Sequence, residues 1–283
     1  MFRGILAFMQ EYTEVQLKEH YDNFLSLLKS IFSGERLEKL LYLYDDDQFG
    51  LRLITAPASS KVHFHNAYVG GYLDHINNVY RASLGVKKLW EVMGATIDFT
   101  DEELAFSAIH HDLGKLGDKE QGEYYLPQDN DWYIKNRGEV FKFNSELQYM
   151  DVADRSLYIL QQYQIKCTWR ETLAIKLSDG LYNEANTSYL KNYNESHDLK
   201  SNLPRIIHYA DYFISLGAQI AMAGFKLYWN EVIMRNLLRD LSKALLREQK
   251  DRTSLSVGYE NFIPVYVLIF ILNNIVIPSI TTS

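Results

Sequence analysis

The sequence predicts an all-α fold, a helical bundle broken once by a long loop or hairpin insertion. Three observations carry this expectation. Apolar residues recur at the i, i+3, i+4 spacing of a helix over most of the chain. Two capping boxes, Thr100 with Glu103 and Thr168 with Glu171, stand just before such stretches. The breakers gather at Gly34, at Gly70-Gly71 and between Gly117 and Met150, which leaves long periodic segments between them.

Residues 11 to 33 set Leu17, Tyr21, Phe24, Leu25, Leu28, Ile31 and Phe32 on one helical face, and Gly34 stops the pattern. A short helix from Arg36 to Tyr44 runs into Asp45-Asp46-Asp47, which reads as a solvated acidic run. An irregular segment, 51 to 60, leads through His63-Phe64-His65-Asn66 to Gly70-Gly71, the junction to a helix from Tyr72 to Met93. The helix opened by Thr100 buries Leu104, Ala105, Ala108 and Ile109. From Gly117 to Met150 the periodicity fails. There Trp132-Tyr133-Ile134 and Val140-Phe141-Lys142-Phe143 flank Asn136-Arg137-Gly138 as the arms of a hairpin, and an insertion of this length beside a candidate site suggests a lid.

Helical spacing returns from Asp154 to Tyr163 and again from Arg170, with Gly180 after Asp179 marking an end or a bend. After a polar stretch over 186 to 203, Pro204 opens a helix whose stripe is Ile207, Asp211, Ile214, Ala218, Ala221 and Phe225. A further amphipathic helix spans 229 to 249. Phe262 to Ile280 carries no charge and approaches the ~20 residues of a membrane span, yet Asn273 and Asn274 in its middle favour a buried or partner-binding tail over an anchor. The expected organisation is N-terminal helices over 1–50 packing on the core, a main domain over 51–225, and a C-terminal helix with an apolar tail over 226–283.

At 283 residues, 47% hydrophobic and 23% charged, the chain can bury a full core. Its formal net charge of -7 does not draw in phosphate backbones at long range, so stable binding of duplex nucleic acid is not expected. The 21 tyrosines are spread along the chain and read as packing rather than as a base-stacking platform. Cys167, the one cysteine, excludes an intramolecular disulfide and a multi-cysteine zinc site, which suits a reducing, cytoplasmic compartment. The apolar run before Glu11 is too short for a signal peptide.

The chemistry shows where polar residues interrupt apolar stripes. His111 continues the stripe of Leu104 and Ala108, and Asp112 continues that of Ala105 and Ile109. A carboxylate on a core face must be paired, protonated or bound to a cation; the plainer alternative is a buried His-Asp hydrogen bond that ties two helices together. Asp211 lies between Ile207 and Ile214 on another helix, with His208 three residues before it, and His75 lies beside the stripe near the start of a third. Five of the eight histidines fall between His63 and His111. Two core aspartates on different helices, with histidines to match, favour a shared cation. Imidazole and carboxylate suit Mn²⁺, Fe²⁺, Co²⁺, Ni²⁺ or Zn²⁺, and spare oxygens admit Mg²⁺.

The ordered set His75, His111-Asp112 and Asp211 resembles the signature of the HD superfamily of metal-dependent phosphohydrolases. More narrowly, Ala56-Pro57-Ala58-Ser59, His63-Phe64-His65-Asn66, Gly70-Gly71-Tyr72-Leu73-Asp74-His75 and His111-Asp112-Leu113-Gly114-Lys115 resemble the HD domain of YhaM-type 3′-to-5′ exoribonucleases and of phage-borne HD proteins, over about residues 50 to 215. The resemblance implies an HD-domain helical bundle in which His75, His111, Asp112 and Asp211 hold one or two divalent ions, with Asp112 able to bridge to a second. It implies hydrolysis of a phosphoester or phosphoanhydride of a nucleotide or short oligonucleotide by metal-activated water. Asp112 and Lys115 are the catalytic candidates, Lys115 by neutralising a substrate phosphate. His63, His65, His110 and Asp179 are candidates for a second metal or for phosphate. The exoribonucleases carry a histidine where this chain has Asp179, which either removes the second metal site or replaces an imidazole with a carboxylate. They also carry an N-terminal OB-fold for RNA, where residues 1 to 50 here read as helices. The alternatives are a 3′-to-5′ exonuclease on single-stranded RNA or DNA and a non-catalytic nucleotide-binding module.

Overall fold

Thr13 opens the first helix with a further capping box of the same three-residue spacing: its hydroxyl accepts the Gln16 N–H, and the Gln16 side chain accepts the Thr13 N–H at 2.9 Å. The structure, a computed structural model, describes residues 12–191 and 195–222. Helix α1 (Glu14–Ile31) buries Phe24 and Leu28, and α2 (Gly34–Leu43) buries Leu40 and Leu43. Gly34, expected to end a helix, begins one, and its φ of +58° makes the turn between the two. Asp45, Asp46 and Asp47 are exposed, as the acidic run suggested. Part of the segment expected to be irregular is helical. A π turn (Asp46–Gly50) leads into α3 (Leu51–Thr55), whose five residues are too few to display a period.

The long helix α4 (Gly71–Val92) buries Tyr72, Ile76, Val79 and Val86. Its first residue is a glycine because a Cβ at Gly71 would lie 2.1 Å from the Asn66 carbonyl oxygen. Helix α5 (Asp101–His110) keeps the Thr100–Glu103 box, and α8 (Trp169–Lys176) keeps the Thr168–Glu171 box. Between them lies α7 (Val152–Gln162), and α9 (Thr187–Leu190) and α10 (Leu203–Met222) follow.

The insertion departs from the hairpin expected for it. Trp132-Tyr133-Ile134 is not a strand but part of α6 (Asp131–Arg137), because the Asn130 side chain caps the Trp132 N–H at 2.9 Å and Gly138 ends the helix in the left-handed region. The strand partner of β2 (Phe141–Phe143) is instead β1 (Tyr125–Pro127), antiparallel, with Tyr125 opposite Phe143.

One apolar cluster joins residues of α1, α2, α4, α5, α7 and α8. Through it runs a charged tie. Arg36 on α2 lies 3.9 Å from the centroid of the Phe106 ring, donates to both carboxylate oxygens of Glu171 at 2.7 Å, and reaches Glu102 at 3.0 Å. The Glu171 side chain is fully buried, so this guanidinium balances a charge that has no access to water.

The chain divides into two compact units, Met1–Leu216 and Gly217–Ser283. The helix expected over 229–249, the apolar run over 262–280 and Phe225 of the Asp211 stripe lie outside the described residues. Among the described residues no helix is long and apolar enough to cross a membrane.

Removing Arg36 leaves Glu171 buried and unpaired. Arg36→Ala is therefore expected to destabilise the fold by about 3–5 kcal/mol in urea titration, whereas Lys135→Ala, which breaks an exposed pair with Asp131, changes stability by no more than about 0.5 kcal/mol.

Candidate metal centre

Helix α5 ends at the residues that matter. His111 still has helical dihedrals, Asp112 leaves them at φ −108°, and a 3-10 turn follows (Leu113–Leu116). The groups this exit frees are met from α7. The Ser156 hydroxyl accepts the Gly114 N–H at 2.8 Å and lies 3.2 Å from the His111 carbonyl oxygen, within reach to donate to it. His111 Nδ1 donates to the Ala108 carbonyl at 2.8 Å, which turns Nε2 the other way.

On that other side three helices converge. His75 Nε2 from α4 lies 3.3 Å from His111 Nε2, 3.2 Å from Asp112 Oδ2 and 3.2 Å from Asp211 Oδ1 of α10. His111 Nε2 lies 3.4 Å from Asp112 Oδ2 and 3.7 Å from Asp211 Oδ1. A tetrahedral ion with ligands at ~2.1 Å sets them roughly 3.4 Å apart, so the 3.2–3.4 Å separations among His75, His111 and Asp112 fit three ligands of one divalent cation. His75, His111 and Asp112 form a buried group able to hold a metal, and Asp211 stands beside it. The imidazoles are fully buried, whereas the side chains of Lys115 and Asp211 keep 14% and 19% of their surface, so the centre opens on their side.

The charges are tightly coupled. Burial favours neutral Asp112, but Lys115, whose Nζ is 2.6 Å from Oδ2, and His111 outweigh it and hold the carboxyl well below its usual range. Asp211 is likewise lowered, against its burial, by His111 and His75. Burial opposes charge on His111 too, yet Asp112 and Asp211 push its pKa up to about 10. Among the described residues, then, a proton on His111 and the Lys115 ammonium balance two carboxylates.

Of the remaining candidates, His65 stacks on His75 with ring centroids 4.5 Å apart. Both its ring nitrogens are buried without a hydrogen bond among the described residues, and burial, then the charges of His75 and Lys115, lower its pKa to about 3. Its loop is held tightly: Ser59 donates to the His65 carbonyl at 2.7 Å, and Asn66 adopts φ +51° while its amide donates to Gly71. Asp179 is half-buried and raised, first by burial and next by the negative charge of Asp112.

His63 and His110 are not brought to this group. His63 is exposed against Phe64, and His110 packs its ring among Phe106 and Tyr44 in the apolar cluster, where burial drives its pKa down to about 3. His208 donates to or accepts from no ligand atom of the centre; its Nδ1 is 2.8 Å from the Ser178 carbonyl, and its ring lies where a Cβ on Gly180 would be, 2.1 Å away. Sequence reasoning missed Ser156, since a lone serine on a helix carries no distinguishing signal.

A ligating imidazole must shed its proton. Divalent-ion affinity is accordingly expected to rise, by up to about tenfold per pH unit, between pH 7 and the His111 pKa of about 10. Calorimetry in buffers of different ionisation enthalpy should register the released proton, and pH-independent binding would place the ion elsewhere. The chain matches no protein-family model, no curated protein and no solved structure.

Proposed function

We propose that the chain is a metal-dependent phosphohydrolase of the HD type, acting on a phosphoester or phosphoanhydride of a nucleotide or short oligonucleotide. One observation carries this reading: His75 Nε2, His111 Nε2 and Asp112 Oδ2 lie 3.2–3.4 Å from one another, and Asp211 Oδ1 of a third helix lies 3.2 and 3.7 Å from the two imidazole nitrogens. A two-nitrogen, two-oxygen set suits Mn²⁺, Fe²⁺, Co²⁺, Ni²⁺ or Zn²⁺. Such an ion would lower the pKa of a water it holds and draw charge from phosphoryl oxygens.

The protein's own groups supply the rest. Lys115, on the open side, is held as an ammonium by Asp112 and is placed to pair with an incoming phosphate once the ion takes over the charge of Asp112. Burial of the imidazoles excludes bulk water from the inner wall, which strengthens each of these charge interactions. Asp179 adds a carboxylate whose pKa is raised by burial and next by the negative charge of Asp112.

Metal analysis and product release from a nucleotide panel with Mn²⁺ test this reading. About one or two ions per chain and hydrolysis are expected in the wild type. Asp112→Ala and Asp211→Ala lose both, while Lys115→Ala keeps the ion and loses roughly 100-fold in kcat/KM. Stepwise shortening of oligomers, with monomers untouched, would identify an exonuclease; metal and nucleotide bound with no turnover would identify a binding module.

A further inference from the structure

The insertion assembles three aromatic rings. Tyr125 and Phe143 are direct partners across the β1–β2 pair, so their side chains share one face of the ribbon, with ring centroids 5.3 Å apart. Tyr124 completes the cluster at 4.9 Å from Tyr125 and 5.4 Å from Phe143. Phe143 leaves 60% of its surface exposed, while the two tyrosines are half-buried beside it. A single exposed apolar ring is ordinary. Its location is not.

The ribbon is fastened on both sides to segments that carry the metal centre. On one side the Val140 and Phe141 N–H groups donate to the Ser60 carbonyl at 3.0 and 3.1 Å, and Val62 donates to the Gly138 carbonyl at 2.8 Å, three residues before His65. On the other, Asp118 and Gly122 exchange backbone hydrogen bonds of 2.9 Å, and Arg52 Nη1 holds the carbonyls of Leu116, Asp118 and Gly122 at 3.3, 2.7 and 3.2 Å, directly after Lys115. The ring cluster therefore sits on a ribbon whose attachments lie next to Lys115 on one side and three residues from His65 on the other, and the Lys115 charge reaches the phenols of both Tyr124 and Tyr125.

We propose that Tyr124, Tyr125 and Phe143 form a stacking platform for the base of a nucleoside phosphate whose phosphate group lies over the metal centre. The assignment rests on the phosphohydrolase reading and deepens it, because it names the residues that would hold the base and so set a nucleoside phosphate apart from a sugar or alkyl phosphate. Stacking on aromatic rings tolerates any base, since every base has a π-face. The platform thus separates nucleoside from pentose phosphates with little choice among bases.

The test is calorimetry on the full chain with Mn²⁺ and the hydrolysis-resistant 5′-phosphonate analogues of adenosine monophosphate and ribose 5-phosphate. Wild type is expected to bind the adenosine analogue roughly 5- to 100-fold more tightly than the ribose analogue. Phe143→Ala closes most of that gap with the ribose affinity unchanged, and Phe143→Trp keeps it. Since Phe143 is exposed, thermal unfolding of both variants should match wild type, which separates a lost contact from a lost fold. Equal affinities in wild type, or a gap that survives both Phe143→Ala and Tyr124→Ala, overturn the platform alone. Binding of Mn²⁺ with neither analogue overturns the platform together with the reading beneath it.

Discussion

A carboxylate cannot be left bare in an apolar interior, and the arrangement around Asp112 is one answer to that constraint. Its Oδ2 faces His75, His111 and Lys115 at once. His75 comes from α4, which starts at a glycine that passes against Asn66, His111 from the end of α5, and Lys115 from the 3-10 turn that follows, while Asp211 of α10 meets the same two imidazoles. Desolvation makes the pair interactions strong, and it makes the unpaired alternative costly. The helices are therefore held in register by charge as well as by apolar contact.

The two kinds of cohesion are separated in space. Arg36 and Glu171 join α2, α5 and α8 through a guanidinium that has both carboxylate oxygens and an aromatic face. In that tie both carboxylate oxygens of Glu171 are already taken by the guanidinium. The His75–Asp211 cluster is the reverse, since its charges face one another across a gap of metal size and its cationic partners are a proton and a lysine, both replaceable.

Much of this was legible in the sequence where a rule acts locally. The boxes at Thr100 and Thr168 marked their helices because a hydroxyl and a carboxylate three residues apart satisfy two backbone donors whatever lies elsewhere. Asp112 and Asp211 stood out because they interrupt stripes of apolar residues. Elements too short for a period do not stand out: α3 has five residues and no side-chain cap, and α6 rests on the single cap of Asn130. Nor could spacing reveal contacts over long separations, such as Arg36 with Glu171, Ser156 with the end of α5, or Tyr125 with Phe143. The last depends on a register fixed only when β1, not the Trp132 segment, pairs with β2. The even spread of the tyrosines along the chain likewise carries no sign that one ribbon gathers Tyr124 and Tyr125 beside Phe143.

The ribbon leaves the core after the turn that holds Lys115 and is tied back at Ser60, so both attachment points belong to the bundle and neither to the ribbon. The stretch between them contributes nothing to the Nε2 and Oδ atoms of the centre. The ties at Ser60 and Val62 are backbone hydrogen bonds, so substituting side chains within the ribbon leaves those anchors in place, and the exposed face of the ribbon can change with little demand on the bundle that carries it.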